Sequence, residues 1–99
     1  MTIRHVVSWQ LASTDAAEKA EHARRISAEL TGLVGVIPEI RALEVGADVA
    51  GGGNWDVVLI ADFDDLSAVA RYQVHPEHQR AGVFIRSVVS ARSCVDFEV

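Results

Sequence analysis

Four histidines and a single tyrosine occur in the 99 residues, and three of these five side chains fall within Tyr72-Gln73-Val74-His75-Pro76-Glu77-His78. An imidazole titrates near neutrality and can take a proton from a carbon next to a carbonyl. A phenol beside it can donate a hydrogen bond to the enolate oxygen that develops. Tyr72 and His78 are therefore the candidate acid/base pair, six residues apart across Pro76. A kink there can turn both toward one pocket. The competing role is packing, with the Tyr72 hydroxyl satisfied and His78 bonded at a helix start. His75, directly before the proline, fits a helix N-cap. His5, His75 and His78 offer three nitrogens, but no carboxylate is clearly placed to complete a ligand set, so neither metal nor cofactor is expected. Cys94 has no helix N-terminus beside it and no clear basic partner, which reads as an unreactive thiol.

These side chains need elements to hold them. Ile3, His5, Val7, Trp9 and Leu11 alternate with Thr2, Arg4, Val6, Ser8 and Gln10, the period of a strand with one apolar and one mixed face. His5 on that apolar face is either a satisfied core histidine or a pocket residue. Asp15 with Glu18 has capping-box spacing, and an apolar stripe from Ala16 through Ala20, Ala23, Ile26, Leu30 and Leu33 predicts a helix ending near Leu33. Glu18 with His22 and Glu21 with Arg25 lie four apart on its wet side. A short strand is predicted over 40–45, a hairpin loop around the triple glycine 51–53, and a third strand over 55–63. The glycines lack the following Lys-Ser/Thr of a phosphate loop and lead into a strand. Asp64-Asp65 caps the next helix, His75-Pro76 breaks it, a further helix starts at Pro76, and residues 92–99 alternate as a final strand. The acidic group Asp62, Asp64 and Asp65 is explained by a strand end and a helix cap rather than by a cation.

The order is β-α-β-β-α-β. With right-handed crossovers it gives a ferredoxin-like α+β fold, a four-stranded antiparallel sheet with the helices on one face, in a single domain spanning 1–99. The first and third strands are then central, and they carry apolar residues on both faces. Val7, Trp9, Val57 and Leu59, with His5 and His75, are placed to line a small apolar-ligand pocket between helices and sheet. Val6, Val58 and Ile60 fall on the uncovered face, where a second copy packed sheet to sheet would bury them. A homodimer is expected.

Composition narrows the partners. A net charge of −5 makes nucleic acid and anionic membrane poor partners, and no apolar run approaches a membrane span. One cysteine and no signal-peptide pattern at the start fit a cytoplasmic protein.

Ile3-Arg4-His5-Val6-Val7, Pro38-Glu39-Ile40, Leu43-Glu44-Val45-Gly46, Asp56-Val57-Val58-Leu59, the Tyr-x-x-His-Pro-x-His segment and the closing Val95-Asp96-Phe97 together resemble the stress-responsive dimeric α/β-barrel (Dabb) family over nearly the whole chain. The resemblance implies a homodimer whose two sheets form a barrel, and the family as a whole implies no single reaction. One branch, the olivetolic acid cyclase-like polyketide cyclases, is enzymatic. This chain is similar to it at Tyr72 and His78, which match its catalytic pair, and at His5, which matches a pocket histidine. It departs from that branch at Val57, in place of another pocket histidine, and at Ser27, near the place of a pocket tyrosine. Three functions follow as expectations. The first is a binding homodimer of unassigned chemistry. The second is a cofactor-free cyclase or isomerase acting on a polyketide-like substrate. The third and weakest is a dimeric-barrel monooxygenase, for which no residue stands out as a haem ligand.

Overall fold

The computed structural model describes residues 1–99. Its elements are β1 (Ile3–Leu11), α1 (Ala16–Thr31), β2 (Ala42–Ala47), β3 (Val57–Phe63), α2 (Leu66–Val74), α3 (Pro76–Val88) and β4 (Val89–Glu98). All neighbouring strands are antiparallel in the order β2-β3-β1-β4, so β1 and β3 are central as the sequence predicts. Alternation decides which side each residue takes. Along β1 and β3 every odd-numbered side chain is buried and every even-numbered one half-buried.

The buried set (Ile3, Val7, Trp9 and Leu11 of β1; Val57, Leu59, Ala61 and Phe63 of β3) meets Ile26 and Leu30 of α1, Val69 and Tyr72 of α2, and Ile85 and Val88 of α3. Burying a side chain of this kind contributes about 1.5–3 kcal/mol, and this layer is what positions the helices. On the other face Val6, Val58 and Ile60 are joined by Val95 and Phe97, because the register sets Val6 opposite Val95 and Arg4 opposite Phe97. Val95 is 60% and Phe97 44% exposed, which leaves an apolar sheet surface uncovered in one chain.

Caps fix the helix starts. The Asp15 carboxylate accepts from the Glu18 backbone N–H at 2.8 Å, and Asp65 does the same for Ala68 at 2.8 Å. The acidic group is neutralised residue by residue: Arg4 grips Asp62 and Arg41 grips Asp64 through paired bonds, and Asp65 is the cap.

Element edges differ from the sequence reading. α1 stops at Thr31, because Leu33 and Ile37 anchor the following turns in the core. β2 begins at Ala42 rather than residue 40, since Ile40 is also a buried anchor. β3 starts two residues after Trp55, whose ring is left exposed in the loop. β4 starts at Val89, directly after α3. His22 and Arg25 are not simply wet: the His22 ring meets Phe84 edge-on at 6.2 Å, and Arg25 lies over the Phe84 ring at 4.0 Å, turned away from Glu21.

Candidate functional site

The break at Pro76 does what the sequence requires of it. His75 ends α2 and caps α3, its Nδ1 accepting from the Glu77 N–H at 3.1 Å, so one extended residue turns the chain. Tyr72, on the last turn of α2, points at the sheet and is completely buried. His78, on the first turn of α3, comes back over it with ring centroids 4.4 Å apart. Phe63 of β3 lies 4.9 Å and His5 of β1 lies 6.0 Å from the same phenol ring. The structure thus brings together Tyr72, His78 and His5.

Their protonation follows from their surroundings. Burial pushes the Tyr72 phenol up to about 12, so at neutral pH it keeps its proton and can donate a hydrogen bond. Its hydroxyl is nevertheless buried without a partner. An orphaned hydroxyl of this kind costs about 1–3 kcal/mol. His78 Nδ1 lies 3.1 Å from the Gln73 carbonyl, which can only accept, so Nδ1 carries the hydrogen and the Nε2 lone pair is free. Burial, with the guanidinium groups of Arg92 and Arg86 nearby, holds His78 below the ordinary imidazole value. A neutral imidazole with a free lone pair, tilted against a neutral phenol, is an arrangement suited to proton transfer. His5 is 2% exposed, and its Nδ1 lies 2.5 Å from Asp96 Oδ1.

Other expected residues fall elsewhere. Val7, Trp9, Val57 and Leu59 are packed in the filled core under the helices. His75 serves as the cap. His5, His75 and His78 do not come together as a ligand set, since the Nδ1 atoms of His75 and His78 are both engaged with backbone.

A second region was missed in the sequence. Between α1 and β2 lies an open cleft of about 730 Å³. Ala16, Ala20, Ala23 and Ser27 on α1 face Val45 and Gly46 on β2 across it. Lys19 and Asp56 close one end through an ion pair of 3.0 Å. The loop after β2 is held by Asp48, which accepts from the Gly51 N–H at 2.7 Å and the Asn54 amide at 2.9 Å. Gly51, Gly52 and Gly53 all take positive φ, which explains the triple glycine as turn chemistry. The signal available in the sequence was the run of small residues at helical spacing on α1.

A four-stranded antiparallel sheet with its helices on one face defines a ferredoxin-like α+β protein. Within that class the chain belongs to the stress responsive A/B barrel domain (Dabb) family, whose model matches residues 3–99. Among solved structures it is similar to a dimeric protein of unknown function with a ferredoxin-like fold from Bacteroides fragilis, at 31% identity over 99% of this chain and 96% of that one, with a TM-score of 0.92. A dimeric ferredoxin-like protein of unknown function from Thermobifida fusca is 30% identical over 100% and 92% of the two chains, with a TM-score of 0.84. The hydroxynitrile lyase of Passiflora edulis shares the fold at a TM-score of 0.80 and 13% identity, over 99% and 93% of the chains. No curated protein matches the chain.

Proposed function

We propose that this chain works as a homodimer that binds a small, largely apolar molecule in the α1–β2 cleft. The observation that carries the reading is the cleft itself. Its volume of about 730 Å³ lies inside the roughly 300–1,000 Å³ usual for small-molecule sites. Alanines, valines and Leu11 form the apolar part of its walls, with Lys19, Arg24, Asp48 and Asp56 as the polar groups that would orient a ligand. Dimerisation is supported by the uncovered surface of Val6, Val58, Ile60, Val95 and Phe97, and by the dimeric relatives. The cytoplasm is the proposed location.

Two measurements test this. Light scattering should return about twice the chain mass, falling to the monomer mass in Ile60→Asp; a wild-type monomer at micromolar concentration overturns the dimer. A set of small aliphatic and aromatic ketones, titrated under ¹⁵N-resolved NMR, should shift amides of Ala20, Ala23, Ser27 and Val45. Ala20→Trp should abolish the shifts, and shifts confined to other surfaces refute the cleft.

A second reading rests on the partnerless Tyr72 hydroxyl against the His78 ring. In it His78 Nε2 takes a proton from a carbon beside a carbonyl, and the Tyr72 hydroxyl donates to the enolate oxygen. This is the cofactor-free proton transfer of a polyketide-cyclase-like enzyme. Deuterium exchange into a β-diketone should be accelerated by the protein and lost in His78→Ala with folding intact. Exchange unchanged by that substitution removes the reading.

A further inference from the structure

The β1–β4 register sets His5 opposite Asp96 and Val7 opposite Cys94, so His5, Cys94 and Asp96 leave the sheet on one face. Cys94 Sγ lies 3.6 Å from His5 Nδ1 and 3.7 Å from Asp96 Oδ2, and that same nitrogen lies 2.5 Å from Asp96 Oδ1. We propose that His5, Cys94 and Asp96 form a binding site for a soft divalent cation of the zinc class, with a fourth coordination position open to solvent.

Donor chemistry and geometry both favour it. One imidazole nitrogen, one sulfur and one carboxylate oxygen form a mixed set suited to zinc, and three protein ligands leave the open position of a reactive site. A tetrahedral ion with metal–nitrogen bonds of about 2.0 Å and metal–sulfur bonds of about 2.3 Å holds those donors about 3.5 Å apart. The sulfur–nitrogen edge already has that length, and the sulfur lies 3.7 Å from Oδ2, the carboxylate oxygen not bonded to His5. The nitrogen–oxygen edge is shorter because a hydrogen bond spans it, and the cation takes the place of that hydrogen. The Asp96 carboxylate then moves out by less than about 1 Å, toward the roughly 3.3 Å edge that such bonds require. It is free to do so, because Asp96 lies on an edge strand with its side chain 29% exposed. The nitrogen is the fixed donor: His5 is wedged edge-on between Phe63 and Tyr72. On binding, the thiol gives up its proton to solvent as the metal–sulfur bond forms. His5 Nδ1 releases to solvent the hydrogen it shares with Asp96 and Nε2 carries the ring hydrogen instead, so that Nδ1 binds through its lone pair. One thiolate and one carboxylate balance a dication. Arg92, two residues from Cys94 on the same strand face, is exposed and free to turn outward.

The test is a Co²⁺ titration of the full chain freed of metal by a chelator. Tetrahedral cobalt with a thiolate ligand gives a sulfur-to-metal charge-transfer band in the near ultraviolet. The expected result is that band, saturating at one ion per chain and discharged by Zn²⁺. Cys94→Ser should abolish it with circular dichroism unchanged. Asp96→Asn should weaken binding by at least the roughly tenfold that even an outer-shell partner can cost. Three outcomes overturn the site: no band at millimolar Co²⁺, a band that survives Cys94→Ser, or saturation at one ion per two chains.

Discussion

The α1–β2 cleft and the α2–α3 junction divide between them what a functional site needs. The cleft has room and little chemistry: alanines, a serine and an edge strand stand apart, and the charged groups at its rim are paired or exposed. At the junction the reverse holds, with two imidazoles and Phe63 set edge-on or tilted around the Tyr72 phenol and its hydroxyl sealed from water. Small side chains at helical spacing open space, whereas aromatic rings at a helix break close it.

The largest expected effect separates the two energetically. Tyr72→Ala, which empties a buried ring position, should cost about 3–5 kcal/mol in urea unfolding. Ala20→Leu, on the open cleft wall, should stay within about 0.5 kcal/mol. Equal costs would mean that the cleft is as tightly built as the core.

Next, Tyr72→Phe should raise stability by about 1 kcal/mol, because it removes a buried hydroxyl that has no partner. A loss of that size would show instead that the hydroxyl is bonded in solution. The same variant bears on alkaline pH. The unfolded phenol ionises near 10.0 and the folded one only at about 12. The contribution is thus fully present below pH 10 and lost as pH rises toward 12, by at most about 1.4 kcal/mol per unit. Tyr72→Phe should flatten that limb.

Removing the shared cap with His75→Ala should cost about 1 kcal/mol. The smallest effect is at acid pH. His78 charges near 6.5 when unfolded but lower when folded, so its contribution is present above that value and is lost as pH falls through it. His78→Gln should remove this part of the acid slope, and an unchanged slope would assign it to the carboxylates.

The sequence carried the frame of the fold because its strongest patterns are local. The nine-residue alternation of β1, the caps Asp15 and Asp65 and the proline at 76 each act on their own neighbours. Ile40 misled the boundary of β2 because an apolar residue that anchors a turn looks like one that starts a strand. Tyr72 and His78 were legible as a motif, but the Asp96 and Cys94 neighbours of His5 were not. They depend on a strand register that brings together residues 89 and 91 positions apart in sequence. The cleft was hardest to read, since it is made by side chains that are short.

The cap shared by α2 and α3 bears on how this chain can change over time. Each helical residue advances about 100° around the axis, and Tyr72 and His78 are linked through a single non-helical residue. Point substitutions near the junction leave that count intact. A one-residue insertion between Pro76 and His78 would rotate the imidazole to another side of α3, away from the phenol. The number of residues between Tyr72 and His78 therefore sets their contact as firmly as the side chains themselves do.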